Sequence, residues 1–169
     1  MNLRALPMLL GLGWLILLLQ STIVSYITYG LPQPELLLVT LAHCAIYRRS
    51  QEGLLLALLY GYQMDLFSGR PFGTYLLTYV LLMLLARGMS LRMLVQARWV
   101  QLFFVGVLSL TGELILLATT FLSPNALEDL PTAQAVAIRA GITALSALFI
   151  FPPLDWLERM VWSQRRTLL

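Results

Sequence analysis

Three ionisable residues sit inside otherwise apolar stretches of the chain: Asp65, Glu113 and Arg139. A carboxylate in such surroundings is able to line a polar pocket or neutralise a guanidinium. Each use requires a partner, because an unpaired charge at the centre of a bilayer costs about 2.5 to 3.5 kcal/mol. The placement predicts that Arg139 neutralises Glu113 or Asp65, with His43, Tyr60, Tyr62, Gln63, Tyr75 and Tyr79 completing a polar interior. Two readings of this cluster stay open: a pocket for a small ligand or partner, open to the outer face, or a buried ion pair that fixes helix register. His43 alone reads as a hydrogen-bonded packing residue. One histidine beside one cysteine, Cys44, makes no metal set, and no cofactor is called for.

Known catalytic patterns were sought without success. The chain has no His-Glu-x-x-His pair, no Gly-x-Ser-x-Gly turn, no phosphate-cradling glycine loop and no aspartate array. Asp65 and Asp155 are expected on opposite sides of a membrane, which argues against an aspartyl dyad. The expectation is a protein that is not an enzyme.

The most distinctive polar segment is Asp65-Leu66-Phe67-Ser68-Gly69-Arg70-Pro71-Phe72-Gly73, set between two apolar runs. Gly69 and Gly73 allow backbone conformations closed to other residues, and Pro71 stiffens the reversal. Asp65 or Ser68 is placed to cap the amides that start the following helix. A tight helical hairpin is expected, with Arg70 snorkelling at the interface, binding a phosphate headgroup or meeting an acidic partner.

These features lie in a chain whose composition sets its class. Of 169 residues, 59% are hydrophobic and only 11% charged, against roughly 25% charged in soluble domains. Mean hydropathy is +0.81. The reading is an all-α integral membrane protein, a single membrane domain over residues 1–169. All eleven basic residues are arginines, and they are dispersed among helix ends, so the net charge of +3 does not point to nucleic acid.

Six apolar segments are drawn, at roughly Leu6 to Ile27, Pro34 to Tyr47, Gly53 to Phe67, Phe72 to Ala86, Trp99 to Leu122 and Gln134 to Phe151. Crossing about 30 Å of hydrocarbon takes about 20 residues, so the second, third and fourth are short. They read as spans packed inside a bundle or in thinned bilayer. The first run is too long for a cleaved signal peptide and is expected to be retained. A cytoplasmic N-terminus leaves Arg4, Arg48, Arg49, Arg87, Arg92, Arg98, Arg159, Arg165 and Arg166 inside, with Arg70 and Arg139 toward the outer face. Both termini are then cytoplasmic.

In the last segment, Ala133, Ala137 and Gly141 form one small-residue row and Ala140, Ala144 and Ala147 a second; such rows let helices approach closely in lipid. Internal packing is the expected use. Pro152-Pro153 is expected to interrupt or kink the helix. Beyond it, residues 153–166 read as an amphipathic helix on the inner surface, with an Asp155–Arg159 pair and Trp156 and Trp162 at headgroup level.

The chain resembles the MreD family of rod shape-determining proteins. The matching elements are Pro34-Glu35-Leu36-Leu37-Leu38 at the start of the second span, Arg48-Arg49, and Gly61-Tyr62-Gln63-Met64-Asp65-Leu66-Phe67-Ser68-Gly69-Arg70-Pro71-Phe72-Gly73. To these are added Glu113, where the family commonly has aspartate, and Pro152 or Pro153. The resemblance implies a non-enzymatic component of the bacterial inner membrane, in the complex that elongates rod-shaped cells. Its implied partners are MreC directly, and RodA, penicillin-binding protein 2 and MreB through the complex. It also implies six transmembrane helices similar to the substrate-binding subunits of energy-coupling factor transporters. A vitamin-transporter subunit of that kind is the alternative reading. The candidate partner or pocket residues are Pro34, Asp65, Ser68, Gly69, Arg70, Pro71, Gly73, Glu113 and Arg139.

Overall fold

The computed structural model describes residues 6–24, 33–47, 50–90, 97–120 and 132–163, with the side chains of 6–10, 23–24 and 157–163 left aside. The described residues form six helices, one for each apolar segment of the sequence. They are α1 (Leu6–Leu19, continued by a π-helical turn, Gln20–Val24), α2 (Leu36–Tyr47), α3 (Ser50–Ser68), α4 (Thr74–Ser90), α5 (Arg98–Thr120) and α6 (Ala133–Ser163). Arg48 and Arg49, the connection at 121–131 and the tail from 164 lie outside the described residues, as do Arg4 and Arg92, so the basic-loop asymmetry is not seen directly.

The order of the bundle follows from α2. Every residue from Leu36 to Ala45 is buried, and α2 packs against all five other helices. At 1.5 Å per residue its 12 residues span about 18 Å. That shortness fits a helix enclosed by its neighbours. Around it, α3 pairs with α4 and α5 with α6 as the two closest neighbour pairs. Outward-facing positions carry large apolar side chains such as Phe149, 79% exposed, Phe103 and Leu114. An apolar perimeter around a core with buried charges fits an all-α membrane protein. By length and composition, Arg98–Thr120 and Ala133–Trp156 are each long enough to cross a bilayer, while Gly11–Thr22, Leu36–Tyr47 and Thr74–Ser90 are shorter apolar helices.

The α3–α4 hairpin closes on a glycine. A Cβ built on Gly61 would stand 2.5 Å from Leu76 Cα and 3.0 Å from the Tyr75 carbonyl oxygen, both backbone atoms unable to yield. The two small-residue rows of α6 separate cleanly. Ala140 and Ala147 are buried and Ala144 faces Gly106 across to α5, whereas Ala133, Ala137 and Gly141 are exposed. One row serves the interior and the other faces out.

Pro152 and Pro153 do not stop the helix; of the interruption or kink expected, the interruption does not occur. Helix α6 runs through both to Ser163. Both prolines are exposed, and Phe151 and Leu154 on either side are buried and anchor the helix. Residues 153–163 therefore continue α6, and the Asp155–Arg159 pair falls partly outside the described side chains.

Gly61→Ala should lower stability by about 1 to 3 kcal/mol through backbone overlap, while Gly141→Ala, with open space around it, should change it by less than about 1 kcal/mol, in the stabilising direction. Thermal unfolding of both variants in detergent would show this, and equal midpoints would contradict the close α3–α4 approach.

Candidate functional site

The polar cluster is built on the entrance to α2. Glu35 immediately precedes that helix and is buried. Arg139, on α6, donates from a terminal guanidinium nitrogen to Glu35 Oε1 at 2.7 Å. Its Nε stands 3.0 Å from Glu113 Oε1 on α5, an ion pair whose angles fall short of a hydrogen bond. One arginine thus joins three helices. The side chains of Glu35 and Glu113 are 5% and 8% exposed and that of Arg139 28%, so the carboxylates are enclosed and the guanidinium reaches the edge.

Sequence reasoning found Arg139 and Glu113 but not Glu35, which entered only within the Pro34-Glu35-Leu36 match. Its signal was present: it is the last charge before a helix with none. Asp65, the other anticipated partner, is elsewhere.

Asp65 serves the backbone instead. From the last turn of α3 its carboxylate accepts from the amides of Gly73 (2.9 Å), Tyr75 (2.8 Å) and Leu76 (3.1 Å). Those amides open α4 and have no carbonyl one turn earlier to bond. A negative charge there is also favoured by the helix dipole. The turn between is shaped as its glycines require, with Gly69 at φ +67° and Gly73 at φ +96°. Ser68 Oγ accepts from the Arg70 amide at 3.3 Å, and Thr74 Oγ1 donates to the Pro71 carbonyl at 2.7 Å.

Arg70 does not snorkel away from the bundle. Its guanidinium donates to Thr120 Oγ1 at 3.1 Å, with the Leu116 carbonyl at 3.5 Å. The C-terminal turn of α5 carries the negative end of the helix dipole, which favours the cation that the sequence reading sent outward.

Other expected members separate. His43 leaves the cluster: it lies two turns along α2, where Nε2 is 2.8 Å from Asp155 Oδ1 and the ring packs on Tyr47 and Phe151. Tyr62 faces outward, 46% exposed, edge-on to Phe72. Tyr60, Gln63, Tyr75 and Tyr79 are buried. Pro34 is buried beside Glu35. The periodicity of a helix with apolar residues on every face gave no way to assign these directions.

The ends of α2 reveal residues that sequence reasoning did not single out. Gln20, in the π-helical turn of α1, accepts from the Leu36 amide at 3.2 Å, and Thr143 Oγ1 accepts from the Glu35 amide at 3.1 Å. At the other end, Arg87 donates to the Ala45 carbonyl at 2.9 Å and Ser90 to the same oxygen at 3.3 Å.

Comparison with known proteins gives one match. A family model described as rod shape-determining protein MreD covers residues 3–152. No curated protein and no solved structure matches the chain.

Removing one charge of the three-helix pair strands the others. Arg139→Ala should destabilise by about 3 to 5 kcal/mol, and adding Glu35→Gln with Glu113→Gln should restore part of that loss. Equal unfolding midpoints for the single and triple variants would reject the coupling. Asp65→Ala should cost about 2 kcal/mol or more by leaving three amides, that of Tyr75 buried and those of Gly73 and Leu76 part-buried, without an acceptor. Asp65→Asn, which keeps one acceptor oxygen, should cost less; the same thermal measurement ranks the two.

Proposed function

Since the chain belongs to the MreD family of rod shape-determining proteins, a family of membrane proteins, we propose that it is a non-enzymatic scaffold of the bacterial cell-elongation complex in the inner membrane. In this reading the six helices are six spans, both chain ends face the cytoplasm, and the protein binds MreC. Through that complex it acts with RodA, penicillin-binding protein 2 and MreB in the control of peptidoglycan synthesis.

The observation that carries the reading, beyond the family match, is the division between inside and outside. Charged groups of the bundle are spent on one another and on helix ends: Arg139 on Glu35 and Glu113, Asp65 on α4, Arg70 on α5. A transporter subunit would need polar groups left over to recognise a solute, and this cluster offers few. What remains available is surface. On α6 the exposed row Ala133, Ala137 and Gly141 allows a second helix to approach closely, flanked by the exposed side chains of Ile138 and Leu145. We assign this face to the single transmembrane helix of MreC. The 69–73 turn stands at the outer end of the bundle, where it would meet the extracytoplasmic part of the partner.

Co-purification tests the assignment. The protein should retain an MreC chain through extensive washing, and Ala137→Trp or Gly141→Trp should cut recovery about tenfold, a loss of about 1.4 kcal/mol, at unchanged unfolding midpoint. Full recovery with both variants would remove the α6 face from the proposal. Retention of a vitamin together with ATPase subunits, and of no MreC, would reverse the functional reading itself.

A further inference from the structure

A cavity of about 230 Å³ opens where the first turn of α5 meets α6 around Pro152, at the end of the bundle away from the Glu35–Arg139–Glu113 cluster. Its lining is amphipathic in an ordered way. Arg98 stands on one side, exposed and with no hydrogen bond or ion pair among the described residues. Asp155 stands on the other with its side chain 36% exposed; one carboxylate oxygen holds His43 and the second has no hydrogen bond among the described residues. Leu102 and Phe151 supply apolar wall, and Trp156 lines the rim, 58% exposed. Pro152 contributes by what it lacks. Without an N–H it leaves the Leu148 carbonyl with no helical donor, and Leu148 is itself part of the wall.

We propose that this cavity binds the headgroup of an aminophospholipid, its phosphate on Arg98 and its primary ammonium between Asp155 and the Leu148 carbonyl. Four features select that chemistry. The wall carries one cation and one anion, which matches a zwitterion and repels the surplus charge of an anionic lipid from Asp155. The ammonium has hydrogens to donate to both acceptors, which a choline headgroup lacks, and the Trp156 ring favours a neighbouring cation. The N-terminus of α5 adds partial positive charge on the phosphate side. The volume lies below the roughly 300 to 1,000 Å³ of pockets that enclose drug-sized molecules. It accommodates a headgroup while the acyl chains run outside, along apolar surface that includes the exposed Phe103 and Phe149.

A soluble phosphoethanolamine offers the same two charges; the exposed tryptophan and the adjoining apolar surface favour the lipid. This inference goes beyond the scaffold reading and does not need MreC.

Native mass spectrometry of the full chain in detergent provides the test, with phosphatidylethanolamine, phosphatidylcholine and phosphatidylglycerol of identical acyl chains, and soluble phosphoethanolamine, offered in turn. One phosphatidylethanolamine should persist at collision energies that strip the other two lipids. Arg98→Gln should lower its retention about tenfold, and Leu148→Trp, which narrows the cavity without removing a charge, should do the same; circular dichroism identifies a variant that fails to fold, leaving the other to decide. Equal retention of the three lipids, or undiminished retention in the folded variants, would overturn the proposal. Binding of soluble phosphoethanolamine as tight as that of the lipid would overturn the lipid as its source.

Discussion

Helix α2 imposes the main constraint on this structure, because it is enclosed by protein from its entrance at Glu35 to Ala45. An α-helix leaves its first amides and last carbonyls without internal partners, and each one buried unpaired is costly. Here the partners come from other helices: Gln20 and Thr143 at the entrance, Arg87 and Ser90 at the exit. Several irregularities then make sense together. The π-helical turn in α1 begins at Gln20, the residue that supplies the amide acceptor. Thr143 itself donates to the Arg139 carbonyl, so the position that caps α2 also adjoins the arginine that pairs with Glu35. The entrance to α2 is one connected piece of polar structure drawn from α1, α5 and α6.

The same economy governs the α3–α4 hairpin. In lipid the usual driving force of apolar burial is weak between helices, since hydrocarbon surrounds them in any case, and association depends on close packing and on hydrogen bonds. Gly61 supplies the packing by letting α3 lie against the backbone of α4. Asp65, one turn further, supplies the bonds with three accepted amides. The charges of Asp65, Arg70 and Arg139 thus divide by role. Asp65 and Arg70 satisfy helix ends, one at the start of α4 and one at the finish of α5, while Arg139 neutralises two carboxylates. Their formal sum over Asp65, Glu35, Glu113, Arg70 and Arg139 is −1, small enough that the amides around Asp65 and the helix dipole balance it.

Much of this was legible in the amino-acid sequence, for identifiable reasons. The six helices follow the six apolar runs because hydrocarbon length and helical rise leave little freedom. The turn at 69–73 follows from glycines placed where the chain must reverse, and the capping role of Asp65 from its place before them. What could not be read was direction. In a helix that is apolar all round, periodicity does not say which face looks inward, so Tyr62 and His43 were grouped with residues they do not meet. Arg70 was misjudged because its destination, Thr120 in the last turn of α5, is distant in the chain. Of the interruption or kink expected at Pro152-Pro153, the interruption fails because the rule that proline ends a helix weighs one residue's lost bond against water. In a bundle the flanking contacts of Phe151 and Leu154 hold the helix through the gap.

A protein arranged in this way has consequences for how it is able to act. Its buried ionisable groups are committed to holding the helices in register, so altering one for a new task would cost the fold. Recognition is therefore displaced to the exterior, where a membrane offers only two discriminating interactions: close contact with another helix and polar contact at the headgroup level. Helix α6 carries a feature suited to each. Its exposed small-residue row lies in the stretch before the prolines, and the cavity lined by Leu148, Arg98 and Asp155 lies where that stretch ends. Pro152 thereby has a consequence that a helix break would not have had: α6 stays continuous for packing while the Leu148 carbonyl is left without its helical donor.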